Sequence, residues 1–258
     1  MTIDFPVSIE IFGHSVLIHP ILESVGIFIA MRYYAFLRKR NKSSLSTIQS
    51  FGIIIGALVG ALLGSKIIGT LENPQAFLDA ENQFLFFWTS NTIVGGLTLG
   101  LIGVELTKKI IGHKESTGDL IVFPLILAMI IGRIGCFLTG VYEQTYGIET
   151  TSIFGMNLGD GLMRHPVALY EIVYLLLLWI VLKIIQEKYI YPSGYLFQIF
   201  MLAYFLFRFC LDFIKPIHPL FLGLSSIQLT CVCVIIYYIF KLLPVSYTHL
   251  TLPTTPYV

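Results

Sequence analysis

The chain has 258 residues, 56% of them hydrophobic and 12% charged, with a formal net charge of +1. A soluble domain carries about twice that charged share, because its surface must be wetted. With a mean hydropathy of +0.83, this excludes a soluble domain, a disordered chain, a secreted disulfide scaffold and, for want of a basic field, a nucleic-acid binder. The sequence predicts an all-α, polytopic membrane protein.

Met1 to Glu10 holds acids and no Lys or Arg, so the charged n-region of a cleavable signal is missing there. Seven apolar segments follow, each near the 17–25 residues that span a bilayer. They lie at Ile21–Leu37, Ile48–Leu71, Thr92–Ile111, Leu120–Gly140, Val167–Ile185, Tyr195–Phe213 and Ser225–Leu243. Ten of the sixteen Lys and Arg fall in alternate loops: Arg38, Lys39, Arg40 and Lys42, then Lys108, Lys109 and Lys114, then Lys183 and Lys188, then Lys241. The intervening loops hold Glu72, Asp79, Glu81, Glu143, Glu149 and Asp160, with only Arg164 and Lys215 as cations. The positive-inside rule then puts the N-terminus outside and the C-terminus inside.

In the second segment Gly52, Gly56, Gly60 and Gly64 recur every four residues. They predict a smooth helix face for close packing in lipid. The loop Val141–Pro166, rich in Gly, Thr and Tyr, is expected to be ordered over the outer mouth. The tail from Val245 to Val258 reads as the in-frame translation of a sequencing adapter, so the transmembrane domain is taken as residues 1–244. Cys136, Cys210, Cys231 and Cys233 form no CxxC pair and read as small apolar residues. His14, His19, His113 and His218 read as solvated loop residues.

Function is expected where charges interrupt the apolar segments. A charged group at the centre of a lipid-embedded helix costs about 2.5–3.5 kcal/mol on insertion scales, so it faces a cavity or a partner. The fourth segment carries Gly132-Arg133-Ile134-Gly135-Cys136-Phe137, the fifth opens Arg164-His165-Pro166-Val167-Ala168-Leu169-Tyr170-Glu171, and the sixth ends with Tyr204, Arg208 and Asp212. At about 1.5 Å rise per residue, Arg133, Glu171 and Arg208 reach one level in the outer third of the bilayer. Tyr204, Arg208 and Asp212 share a helix face by their i, i+4, i+8 spacing. Pro166 suits a first helical turn, leaving free backbone N–H groups that welcome an anion such as a lipid phosphate. Paired guanidiniums offer donors matched to phosphate oxygens. Two simple pairs, Arg133 with Glu171 and Arg208 with Asp212, would instead merely join helices.

These blocks resemble the prolipoprotein diacylglyceryl transferase family, over nearly the whole chain to about Leu243. Its signature Gly-Arg-x-Gly-Asn-Phe corresponds to Gly132–Phe137, with Cys136 in place of the asparagine. Its Arg-His-Pro-x-x-Leu-Tyr-Glu block is matched in full by Arg164, His165, Pro166, Leu169, Tyr170 and Glu171. Its Tyr-x-x-x-Arg-x-x-x-Glu block becomes Tyr204, Arg208 and Asp212. The family's third-span His-Gly-Gly is Val94-Gly95-Gly96 here, its second asparagine is Thr139, and its following glutamate is Val141, with Glu143 two residues on.

The resemblance implies transfer of a diacylglyceryl group from phosphatidylglycerol to the lipobox cysteine thiol of prolipoproteins, at the outer leaflet of the bacterial cytoplasmic membrane. No metal or organic cofactor is called for. Arg133 and Arg208 are expected to hold the phosphate, oriented by Glu171 and Asp212. Tyr170 and Tyr204 would hydrogen-bond the headgroup, and Arg164, Gly95 and Gly96 would line the substrate site. His165 is the expected base for the thiol, with Glu143 second. A non-catalytic lipid or small-anion carrier, or a related lipid transferase with another acceptor, would use the same scaffold.

Overall fold

The computed structural model describes residues 4–41, 46–216 and 218–246; most of the tail from Val245 lies outside them. The fold is all-helical apart from two short hairpins. Strands β1 (Ser8–Ile11) and β2 (His14–Leu17) pair antiparallel ahead of α1 (Ile18–Arg40). Then come α2 (Thr47–Thr70), two short helices, α3 (Pro74–Asp79) and α4 (Gln83–Thr89), and α5 (Ile93–Ile110). α6 (Val122–Thr139) leads through a 3-10 turn into a loop that carries the hairpin of β3 (Met156–Asn157) and β4 (Met163–Arg164). α7 (Val167–Lys188), α8 (Tyr195–Leu211) and α9 (Ser226–Ser246) complete the bundle.

The helix starts follow local chemistry. Ser46 and Gln49 form a reciprocal capping box on α2, and the side chains of Asn73 and Asn82 accept from the backbones of Ala76 and Leu85 at the starts of α3 and α4. α8 is capped from a distance. Asp119, just before α6, accepts from the backbone N–H of Gly194 at 2.6 Å and of Phe197 at 3.0 Å. The basic triplet Arg38, Lys39 and Arg40 closes α1, where cations suit the helix dipole.

Among the described residues, five helical stretches are long and apolar enough to cross a membrane: Ile18–Arg40, Thr47–Thr70, Asp119–Tyr142, Val167–Lys188 and Tyr195–Ile214. α4 and α5 together make a sixth, bent by 83° at the break between them. α9 is apolar over Ser226–Leu242 but shorter. The bend is held by polar groups of α2. Ser65 bonds the Thr92 backbone, and the buried Lys66 ammonium reaches the Trp88 carbonyl and, at 2.7 Å, Asn91 Oδ1.

The core lies around α8. Phe200, Met201, Tyr204 and Phe205 are fully buried against Phe123, Ile126 and Met129 of α6, Leu175 and Leu182 of α7, and Ile227 and Cys231 of α9. Val94 is fully buried in the same core. Outward faces are apolar instead of charged. On α2, Phe51, Ile55, Leu58, Val59 and Leu62 are all exposed, as a lipid-facing surface requires.

The opposite face of α2 is the glycine stripe, and it packs on α5. A Cβ built on Gly56, Gly60 or Gly64 would strike Thr107 and the Gly103 carbonyl, the Leu99 carbonyl, or the Gly95 carbonyl in turn. Gly95 and Gly96, expected at the substrate site, lie along this seam: Gly95 meets the Gly64 carbonyl, and Gly96 faces Ala61. Their smallness serves close backbone approach between helices.

Candidate active site

The site forms where α6, α7 and α8 converge. α8 places Tyr204, Arg208 and Asp212 on successive turns of its inner face, all three buried. α7 begins after Pro166, so Glu171 enters the bundle just over a turn below the helix start, and its side chain is 2% exposed. α6 supplies Arg133.

Glu171 is the hub. Its Oε1 accepts a 2.7 Å hydrogen bond from Tyr204 and lies 2.9 Å from Arg133 Nε, as an ion pair out of line for a hydrogen bond. Its Oε2 lies 3.6 Å from Arg208 Nη1, while Arg208 Nη2 is 3.7 Å from Asp212 Oδ1. Asp212 Oδ2 accepts from Ser225, whose own N–H is held by Gln228 Oε1. Both pairs considered from sequence are present, but they are not separate: Glu171 is shared between the two guanidiniums and joins them into one network. An interhelical network of this kind depends on how α6, α7 and α8 are rotated, which spacing within one helix does not specify.

Donors are left over. Among the described residues Arg208 Nε has no hydrogen-bond partner, and neither does Asp212 Oδ1. Arg208's ion pairs also exceed hydrogen-bond length. A buried polar group without a partner costs about 1–3 kcal/mol, so the arrangement is unsatisfied as it stands. A polyatomic anion set between the arginines would engage these N–H groups.

The other expected residues sit around this cluster. His165 Nδ1 lies 3.0 Å from the Tyr170 hydroxyl, and the rings meet edge to face. The His165 backbone pairs with Gly147 and Ile148, which ties the start of α7 to the outer loop. Arg164, expected at the substrate, is committed to that loop: its Nε bonds Asp160 at 2.7 Å, Glu149 lies 3.9 Å away, and the guanidinium covers the Tyr146 ring. The loop Val141–Pro166 is ordered by the β3–β4 hairpin and by the Glu149–Arg164 bridge.

His19 is the main correction among the histidines. It lies in the first turn of α1, is only partly exposed, and its Nδ1 is 2.6 Å from Glu143 Oε1. Its Nε2 faces Cys136 Sγ at 3.6 Å, and Arg133 Nη1 donates to the same sulfur at 3.4 Å. Cys136 is therefore more than apolar filler, since a histidine 117 positions away meets it through the α1–α6 contact. Lys66 was also passed over; its place in an otherwise uncharged segment was the available signal.

Apolar helices enclosing two guanidiniums around one carboxylate define a multispan membrane protein with a buried charged centre. The model of the prolipoprotein diacylglyceryl transferase family matches residues 6–243, and the chain belongs to that family. It is 30% identical over 225 residues to a protein of Ehrlichia ruminantium (strain Welgevonden), covering 83% of this chain and 84% of the relative. It is 29% identical to one of Bordetella parapertussis, covering 76% and 78%, and 27% identical to one of Dehalococcoides mccartyi, covering 86% of each. All three are named phosphatidylglycerol--prolipoprotein diacylglyceryl transferase.

Proposed function

We propose that this chain transfers a diacylglyceryl group from phosphatidylglycerol to the lipobox cysteine thiol of prolipoproteins in the bacterial cytoplasmic membrane. The observation that carries this reading is the buried pair of arginines, joined through Glu171 and with N–H groups to spare. In the reaction a carbon–sulfur bond forms as the glycerol carbon–oxygen bond to the phosphate breaks. The departing glycerol phosphate bears the charge that must be stabilised. Fixed cations in a low-dielectric site do this without reorganising, an effect worth about 3–4 kcal/mol per donor.

Arg133 and Arg208 hold the phosphate, Glu171 and Asp212 fix their planes, and Tyr204 braces Glu171. His165, set by Tyr170, takes the proton of the incoming thiol. Glu143, already engaged by His19, is the weaker candidate for that base. Seven crossings, counting α4–α5 and α9 as spans, with the N-terminus outside, are supported by the alternation of cationic and acidic loops. That orientation puts the arginine layer near the outer leaflet.

The test uses membranes holding the full chain, labelled phosphatidylglycerol and a peptide with a lipobox cysteine. Labelled thioether is expected, falling by about 10²–10³-fold in Arg133→Ala and Arg208→Ala. His165→Asn is expected to lower turnover by about 10²-fold while lipid binding is kept. Bound phosphatidylglycerol with no thioether would overturn the transferase reading, and unchanged turnover in His165→Asn would remove His165 from it.

A further inference from the structure

Beside the arginine centre lies a second set of chemistry-bearing side chains, of which diacylglyceryl transfer, as proposed above, calls only on Glu143, and on that only as the weaker candidate base. Cys136 Sγ, the His19 ring and the Glu143 carboxylate lie in a row, with 3.6 Å from sulfur to Nε2 and 2.6 Å from Nδ1 to Oε1. A nucleophile in reach of a base, and that base held by a third group, is the arrangement shared by thiol and serine acyl-transfer enzymes. The fold builds it deliberately. A Cβ at Gly135 would come within 2.6 Å of the His19 ring, so glycine there lets α1 close on α6. Gly140, at φ 64°, then turns the chain out of α6 so that Glu143 comes back over His19.

The same three groups fall within 4.8 Å of one another, close enough to hold a metal ion. Two features oppose that reading. The Arg133 guanidinium donates to the sulfur at 3.4 Å and would repel a cation there. Glu143 faces the ring nitrogen turned away from the sulfur, so it orients the histidine instead of converging with it on one point.

We propose that Cys136, His19 and Glu143 form a nucleophilic thiol site that accepts a fatty acyl group from an ester-linked glycerolipid. The substrate class follows from the surroundings. Cys136 is 6% exposed, and the hollow beside it is lined by Phe137, Leu158, Pro166, Val167 and Ala168 together with Thr145 and Tyr146 of the outer loop, a mostly apolar lining that suits a lipid from the bilayer phase. Ester carbonyls are the abundant electrophiles of that phase. In the step, Sγ attacks the ester carbonyl carbon and its proton passes to His19 Nε2. Arg133 faces the oxygen that becomes negative. The ester carbon–oxygen bond then breaks, the glycerol oxygen takes the proton from His19, and a Cys136 thioester and a lysolipid result. Water, deprotonated by the same ring, attacks the thioester to release the fatty acid and restore the thiol.

The experiment places the full chain in phosphatidylcholine vesicles with labelled acyl chains and no precursor peptide, followed by mass spectrometry of the four cysteine peptides. The expected result is label on Cys136, released by neutral hydroxylamine, with Cys210, Cys231 and Cys233 unlabelled. Cys136→Ser should lose the hydroxylamine-sensitive label, and His19→Gln should reduce it about 10²-fold. Glu143→Gln, which keeps the shape of the ring's partner, should give an intermediate loss, and a retained thermal melt shows that the variants fold. Absence of label in the folded wild-type chain overturns the proposal, as does a hydroxylamine-resistant diacylglyceryl adduct or tight zinc binding that blocks the thiol. Peptide lipidation from phosphatidylglycerol, measured in parallel, separates failure of this site from failure of the transferase reading.

Discussion

The α2–α5 seam and the α6–α7–α8 centre are both buried helix contacts in the same bundle, yet they are held together by opposite means. At the seam the side chains are removed: Gly56, Gly60 and Gly64 of α2 lie against the backbone of α5 at Gly103, Leu99 and Gly95. At the centre the side chains are long and charged, and Arg133, Glu171, Arg208 and Asp212 bridge three helices. Between helices in lipid there is little hydrophobic drive, so association rests on close packing or on polar bonds. The seam uses the first in a form that no ligand can improve. The centre uses the second and leaves donors unfilled, which separates a structural contact from a site.

Enlarging the seam should have the largest effect. Gly64→Leu drives a side chain into the Gly95 carbonyl, a backbone atom that cannot yield, and into Leu99. The expected cost is about 3 kcal/mol or more, read as loss of monodisperse protein in detergent and of all transfer activity. A folded, active Gly64→Leu chain would show that the seam is not a tight contact.

At the centre, Glu171→Gln keeps the volume and removes the charge that two guanidiniums share. Removing one partner of a buried ion pair costs about 3–5 kcal/mol, so the thermal melt should fall while the protein still assembles. Phosphate analogues should then protect the variant more than the wild type, because an anion can take the place of the lost carboxylate. Equal protection in both would mean that the arginines do not face a common anion.

Much of this contrast was legible beforehand. The glycine stripe declares itself by its four-residue period, and Arg133, Glu171 and Arg208 declare themselves as charges inside apolar segments. What the chain could not display was partnership across helices. Glu171 lies four residues from the start of its helix in any reading, but its sharing between two arginines depends on helix rotation. His19 and Cys136 are 117 positions apart, and only the α1–α6 contact brings them together. Gly95 and Gly96 show the same limit: the family motif points them toward the substrate, while their place against the α2 stripe depends on the α2–α5 contact.

The smallest effect concerns a pair outside the bundle core. Glu72, just beyond α2, faces Lys215, just beyond α8, at 3.9 Å. Burial raises the Glu72 carboxyl above its usual 4.5, with Lys215 pulling it back in part, and burial likewise lowers the Lys215 ammonium. Because the folded state holds the Glu72 proton more tightly than the unfolded chain does, its contribution to stability is complete below about pH 4.5. That contribution is lost as pH rises through the raised value. Glu72→Gln should therefore flatten the dependence of Tm on pH over this interval and leave transfer activity unaltered. A slope that survives in Glu72→Gln would have to arise from another titrating group. A slope that disappears would assign it to Glu72, in a half-buried ion pair whose loss, unlike that of the arginine centre, the fold tolerates.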